Sequence, residues 1–176
     1  MDDLNPDVEP HDDLPTIPEI LHSAFHEGPF TNCDACGADL RVESSVYPIQ
    51  KNWRNGEVVF ELALCAACLL ESMTTLSRES LERLRAFQED RYQGGDDLDA
   101  CHFCRKALGP LDDYEIGAVA TRSFLLRPPA VMCGECGSEM QEQLSKQTRD
   151  GWGEFLERVV PGVPGEMVPD GIPLAF

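Results

Sequence analysis

Four pairs of cysteines are the residues of this chain whose type and spacing most directly suggest chemistry. Each pair has the pattern CxxC, and the pairs use every cysteine in the sequence: Cys33, Cys36, Cys65, Cys68, Cys101, Cys104, Cys133 and Cys136. Two thiols at this spacing can bind one metal ion, form a redox couple or close a disulfide. Because a reducing compartment disfavours structural disulfides, the repeated pattern predicts metal ligands.

The number of cysteines suits zinc. A structural zinc ion takes four tetrahedral ligands, and eight cysteines fill two such sites completely. We therefore expect two Zn²⁺ ions as cofactors. Iron is the less favoured metal, although four thiolates also bind an iron ion or a cluster. A thiol redox switch that releases zinc is the competing chemistry, but thioredoxin-like enzymes use one CxxC pair on a βαβ framework, and this chain has four pairs.

The cysteines belong to an internal repeat. Each cysteine of the first two pairs has a counterpart 68 positions later, and the same offset relates Leu40 to Leu108 and Ser77 to Ser145. A duplicated module must have folded with its own four ligands. The repeat therefore favours one site in each half over a crossed arrangement in which pairs from both halves share an ion.

The elements that would position the cysteines also repeat. The stretch SVYPIQKNWRNGEVVFELALC predicts a β-hairpin, because Asn55 and Gly56 form a strong turn signal between extended segments. The stretch DYEIGAVATRSFLLRPPAVMC predicts a weaker one, since Pro128 and Pro129 cannot donate to a strand ladder. Apolar residues at helical spacing follow each second cysteine pair. These pairs would thus lie at helix N-termini, whose free N–H groups favour thiolates.

The two cysteine turns differ in one position. Gly37 follows CDAC directly and suits the tight backbone reversal that brings two sulfurs onto one ion. Arg105 occupies this position after CHFC, so the glycine is not shared by the two halves. His102 lies inside CHFC and could replace a cysteine as a ligand, although four sulfurs already suffice.

A cysteine turn, a hairpin and a helix whose first turn supplies the last two ligands resemble the treble-clef, or zinc-ribbon-like, group of zinc folds. The resemblance covers residues 31–88 and 99–158. It implies an α+β fold of two duplicated zinc modules packed pseudo-symmetrically. It also implies two ligand sets, Cys33, Cys36, Cys65 and Cys68 for one ion, and Cys101, Cys104, Cys133 and Cys136 for the other.

The predicted organisation has four parts: an acidic tail with a short docking helix (1–30), an N-terminal zinc module (31–92), a C-terminal zinc module (99–160) and a Pro/Gly-rich, extended C-terminal arm (161–176). Residues 1–17 of the tail are expected to be disordered, because they are rich in Asp and Pro. Ile172, Leu174 and Phe176 favour an arm that folds back on the body over a docking peptide.

Two histidines in the first part stand four positions apart, a spacing at which both could bind one ion. The better interpretation of His22 and His26 is that they are polar members of a short amphipathic helix. The apolar residues Ile20, Leu21 and Phe25 would dock that helix on the body.

The net charge limits the classes of partner that the chain is expected to bind. A net charge of −18 repels phosphate backbones, so a nucleic-acid partner is not expected. The alternative is a local basic patch made of Lys51, Arg54, Arg122 and Arg127. Trp53, at the hairpin tip, is either an exposed recognition residue or a partly buried packing residue.

Neither a catalytic HExxH or GxSxG motif nor a phosphate-binding glycine loop occurs, so we expect no enzyme. The sequence indicates a protein-interaction or regulatory adaptor whose partner is another protein, and it is compatible with a homodimer. No apolar run reaches the roughly 18 residues of a membrane span, and the acidic N-terminus is unlike a signal peptide. The expected compartment is therefore the cytoplasm.

Overall fold

Strands and helices follow each other in the same order in the two halves of the chain. The computed structural model describes residues 14–42 and 45–160. The first half contains β1 (Val46–Arg54), β2 (Glu57–Ala63), α1 (Ala66–Met73) and α2 (Arg78–Arg91). The second half contains β3 (Tyr114–Thr121), β4 (Phe124–Leu125), β5 (Ala130–Cys133), α3 (Gly134–Gln141) and α4 (Lys146–Val159). Both ends of α3 and of α4 lie 68 residues after those of α1 and α2.

The turn of each hairpin contains a residue with left-handed backbone conformation. Asn55 and Gly56 have φ angles of 52° and 81°, as expected for the tight turn that the Asn-Gly pair predicts. In the second hairpin Arg122 takes the first of these positions, with a φ of 51°. The second return strand is interrupted, because β4 ends at Leu125 and β5 begins only after the two prolines.

The two hairpins join into one antiparallel sheet. The strand order is β2-β1-β3-β4, and β5 also pairs with β3. Along the β1–β3 ladder Gln50 lies opposite Gly117, while Tyr47 and Tyr114 each lie three residues before one member of that pair. Ile49 lies opposite Ala63 in the first half and Ile116 opposite Val131 in the second, so Gln50 and Gly117 are equivalent positions of β1 and β3. A pseudo-twofold axis therefore passes through the Gln50–Gly117 pair.

The two halves also meet at the starts of α2 and α4. Ser77 and Ser145 cap these helices, and their Oγ atoms lie 3.0 Å apart. The backbone N–H of Ser77 donates to Thr148 Oγ1, and that of Ser145 donates to Ser80 Oγ, both at 2.9 Å. Each cap therefore depends on hydroxyl groups of the other half.

Two ion pairs also connect the halves. Arg158 of α4 bonds Glu71 of α1 at 2.7 Å, and Arg91 of α2 bonds Glu139 of α3. Both pairs are exposed, so each contributes at most about 1 kcal/mol. Apolar burial contributes more to the stability, since one hydrophobic cluster includes residues of both hairpins and of α1 to α4.

The segment before the first cysteine turn packs on the sheet. Ile17 N–H donates to Ser123 O at 3.0 Å, and Leu21, in a short 3₁₀ helix (Glu19–Leu21), is fully buried. The docking of Leu21 agrees with the sequence prediction. The expectation for Phe25 was wrong, because this side chain is 64% exposed.

The C-terminal arm (161–176) and residues 1–13 of the acidic tail lie outside the described residues, so the expectations for them stay predictions. Within the described ranges, no helix has both the length and the apolar character needed to cross a membrane.

Candidate metal centres

The first cysteine pair of each half lies on a tight turn. Cys33 N–H donates to Ala38 O at 2.8 Å, and Gly37 N–H donates back to Cys33 O at 2.8 Å. Gly37 has a φ of 74°, in the left-handed region where glycine is favoured.

The second turn has the same backbone conformation without a glycine. Arg105 has a φ of 61°, and its N–H donates to Cys101 O at 2.9 Å. The two turns therefore share this backbone conformation, although only the first has a glycine at that position. The bond from Arg105 Nη1 to Gly94 O, at 2.7 Å, contributes to holding this less favoured conformation.

The second cysteine pair of each half begins a helix. Cys65 is the N-cap residue of α1 and Cys133 that of α3, both with extended backbone. Cys68 and Cys136 follow in the first helical turn and are buried. This placement, which the sequence predicts, directs four sulfurs in each half from a turn and a helix start towards one point.

The eight sulfurs form two groups of four. In each group, all Sγ atoms lie within 4.8 Å of one another. The Sγ atoms of Cys36 and Cys65 are 3.7 Å apart, and those of Cys104 and Cys133 are also 3.7 Å apart. Four sulfurs placed tetrahedrally at about 2.3 Å from zinc would be separated by about 3.8 Å. The donor set and its spacing thus fit one tetrahedral metal ion per group, and the groups are the two sets that the sequence predicts.

Backbone N–H groups point at the innermost sulfur of the second group. Phe103 and Cys133 both donate to Cys101 Sγ at 3.4 Å. Such bonds stabilise a thiolate and partly offset its desolvation. Burial acts to raise the pKa of Cys101, but the backbone N–H groups of Cys133, Cys104 and Phe103, together with the Cys104 side chain, outweigh it and lower the pKa.

The other buried sulfurs indicate why such a group suits a cation. Burial, together with the neighbouring sulfurs, raises the pKa of Cys68 and of Cys136 well above the ordinary thiol value. A cluster of thiols at this density cannot all ionise, because the negative charges would repel one another. A divalent cation removes that penalty and holds four thiolates together.

One residue inside each turn ties the cysteine pairs to the sheet. Asp34 exchanges two hydrogen bonds with the backbone of Ala63, at 2.6 and 2.9 Å. His102, its counterpart, donates its backbone N–H to Val131 O at 2.8 Å and accepts the Val131 N–H at Nδ1. These contacts fix the distance between the turn and the helix start in each half.

His102 has no free ring nitrogen for a metal. Nδ1 accepts a hydrogen bond, so Nε2 carries the proton that it donates to Asp97 O at 2.8 Å. The ring is fully buried. The alternative in which His102 replaces a cysteine is therefore wrong, and its role is to hold the turn.

The remaining residues singled out from the sequence do not converge on a site. His22 donates to Ile17 O at 3.2 Å and does not belong, with His26, to any described group of potential metal ligands. Lys51 is only 3% exposed and pairs with buried Glu61 at 3.6 Å. Since Lys51 is internal, it contributes nothing to a basic surface. Trp53 is buried and stacks on Tyr114, with ring centroids 4.9 Å apart.

Sequence reasoning missed one polar group in the sheet. Glu115 of β3 is 7% exposed and receives hydrogen bonds from Gln50 and Asn52 of β1. Burial raises the pKa of Glu115 to about 7. The available signal was a glutamate within the apolar run YEIGAV, but the partners across the ladder follow only from the β1–β3 register.

Comparison with known proteins adds no family to this description. No protein-family model, no curated protein and no solved structure matches the chain.

Proposed function

We propose that this chain is a non-enzymatic zinc protein in which two structural four-cysteine sites stabilise a protein-interaction or regulatory adaptor. The observation that carries the proposal is the arrangement of all eight sulfurs in two groups with separations suited to a tetrahedral ion. In each half the order of cysteine turn, hairpin and cysteine-capped helix supports the treble-clef interpretation.

The closed ligand sets support a structural role for the metal. Catalytic zinc sites have three protein ligands and leave a fourth position for water or substrate, whereas four sulfurs leave none. Metal binding would then add directly to folding free energy, about 10 kcal/mol or more per site for small zinc domains. Each half alone supplies only part of the common hydrophobic core, so we expect folding and metal loading to be coupled.

The first test measures metal and stability together. Native mass spectrometry should find two zinc ions per chain, and Cys68→Ser should lose one of them and melt at a much lower temperature. Ala67→Ser changes an exposed neighbour in the same helix turn and serves as the matched control. Two retained ions and unchanged melting in Cys68→Ser would reject the structural role, and iron in the native protein would reject zinc.

The adaptor role has its own test. A tagged full-length chain, loaded with zinc, should capture a defined partner from its native lysate, and chelation before mixing should abolish that capture. Capture that is equal before and after metal removal would contradict a zinc-stabilised interaction surface.

One observation favours the thiol-switch alternative as a second candidate. Cys36 and Cys104, one in each group, are exposed and therefore accessible to oxidants. If the chain is a thiol switch, mild peroxide should release zinc and form disulfides within the CxxC pairs. A thiol reductant should then restore zinc binding. Zinc retention under peroxide that oxidises a free thiol would remove this candidate.

A further inference from the structure

The cysteine turns of the two metal centres are not equally covered. In the second centre, that of the C-terminal half, residues 101–103 of the turn are buried and Cys104 alone is exposed. In the first centre, that of the N-terminal half, Cys33 is buried, whereas Asp34 and Cys36 are exposed. The two turns share one backbone conformation, so the difference arises from what packs against them.

The linker between the halves covers the second turn. Gln93 N–H donates to His102 O at 2.8 Å, and the side-chain amide of Gln93 donates to Phe103 O at 2.9 Å. The ring of Tyr92 packs edge-on against that of Phe103, with centroids 5.4 Å apart. Movement of this turn away from the metal therefore requires that these contacts break.

Open space adjoins the first turn instead. A Cβ built on Gly37 would have no atom of a neighbouring segment within 4 Å, whereas a Cβ on Gly95 of the linker would lie 3.0 Å from the His102 ring. Residues 24–30 precede the first turn as the linker precedes the second. Within the described ranges they form no hydrogen bond with residues 34–37. The first turn is thus free of the cover that the second one has.

An ion pair joins the two elements that hold the sulfurs of the second centre. Lys106 lies two residues after Cys104, and it pairs at 3.5 Å with Glu135 in the first turn of α3. The repeat of 68 residues places Ala38 and Ala67 at the equivalent positions of the first half. Since alanines form no ion pair, the first centre lacks this connection between its turn and its helix.

The cysteines at the helix starts differ in the same direction. Cys133 is only 2% exposed, whereas the equivalent Cys65 is half-buried. The Sγ atom of Cys65 lies 3.7 Å from that of Cys36, which is exposed. These two sulfurs form an accessible edge of the first centre. Because four sulfurs fill the tetrahedral positions around zinc, an incoming donor has to displace one of them, and this edge is where it can approach.

We propose that the first centre is a zinc-exchange site and that the second centre retains its ion. An incoming multidentate ligand with thiolate or aromatic nitrogen donors, which zinc prefers, takes the ion by displacing the Cys36 or Cys65 thiolate. Each displaced thiolate takes up a proton from water, and no oxidant is required.

This inference rests on the proposed function for the presence of two zinc ions, and it goes beyond that function because it gives the two centres different roles. Metal binding adds to folding free energy, so the first half is the one whose folding responds to the supply of zinc.

The test follows zinc release after the fully loaded chain is mixed with excess pyridylazoresorcinol, a chelating dye with aromatic nitrogen donors. We expect two phases of one ion each. The first should be at least about tenfold faster, because opening the second centre must also break the linker hydrogen bonds and the ion pair. With dye sufficient for one ion, NMR should show changed signals for Gly37 and Ala67 and unchanged signals for Arg105 and Gly134.

Two double variants exchange the ion pair between the centres. Ala38→Lys with Ala67→Glu places it at exposed positions of the first half and should slow the fast phase by about twofold to fivefold. Lys106→Ala with Glu135→Ala removes it from the second half and should speed the slow phase by a similar factor. The control, Arg78→Ala with Glu82→Ala, removes an exposed ion pair within α2 and should change neither phase.

The zinc content before mixing separates this inference from the proposed function. All three double variants should hold two ions and unfold cooperatively. Equal release rates for the two ions, fast changes at Arg105 and Gly134, or exchange variants that behave like the control overturn the inference alone. Fewer than two ions in the native chain overturn the proposed function and this inference together.

Discussion

Replacing Glu115 with glutamine should stabilise the protein at neutral and alkaline pH. The carboxyl is buried, and its pKa is raised from the ordinary 4.5 to about 7. A glutamine keeps an oxygen for the Gln50 and Asn52 donors. It also places an NH₂ group beside the two amide oxygens that lack partners. The variant therefore removes a buried charge and supplies a missing donor.

The size and sign of the effect follow from the pKa difference. Because the folded pKa exceeds the unfolded one, the folded state binds more protons between these values, and the free energy of unfolding falls as pH rises through this window. At 1.36 kcal/mol per pKa unit, ionised Glu115 costs about 3 kcal/mol above pH 8. About 2 kcal/mol of this cost arises between pH 5.5 and 8.5.

Urea denaturation of the zinc-loaded chain at a series of pH values measures this effect. The stability of Glu115→Gln minus that of the wild type should rise by about 2 kcal/mol from pH 5.5 to 8.5. Glu154→Gln, at an exposed position, should show no such trend. Parallel pH profiles for wild type and Glu115→Gln would refute the reasoning.

Two further predictions concern backbone geometry and the contact between halves. Gly37→Ala should lower the free energy of unfolding by about 1 kcal/mol, because φ is 74° and no atom lies within 4 Å of the new Cβ. Gly153→Ala, in a helix with equally open space, should raise it by a similar amount, and thermal melts giving the same sign for both would contradict this account. Ser77→Ala should cost about 1–2 kcal/mol, since it removes a cap and a bond to the other half. The control is Ser138→Ala, which removes only an exposed hydrogen bond within α3. Calorimetry that gives the same loss of stability for both variants would contradict a role of Ser77 in joining the halves.

Local signals in the sequence predicted much of the candidate metal centres. The CxxC spacing and the repeat of 68 residues identified both groups of sulfurs, and the Asn55-Gly56 pair located the first hairpin turn. These features were accessible because each is a short sequence motif or the repetition of one, which can be recognised without knowing which strands pair. The left-handed backbone at Arg105 could not be predicted from the residue type, because arginine seldom adopts this conformation. The second copy keeps the conformation of the first even though the glycine has been replaced.

Long-range pairing was the main feature that sequence reasoning could not supply. Strand β1 is central in the sheet, with β2 on one edge and β3 on the other, and it is buried on both faces, so it shows no clear alternation of polar and apolar residues. The same pairing places Lys51 in the interior and brings Asn52 opposite Glu115. A charged residue within a strand normally indicates a solvent-facing position, and here that rule was overridden by partners from distant segments.

The ladder centred on the Gln50–Gly117 pair bears on how the chain arose. A single ancestral module with this strand would have exposed a long unpaired edge, which a second identical copy could cover. Fusion of two such copies would convert an association that depends on concentration into one within a single chain. Copies joined in this way would be free to diverge, and Glu115 of β3 has no carboxylate at the equivalent position of β1, which is Pro48.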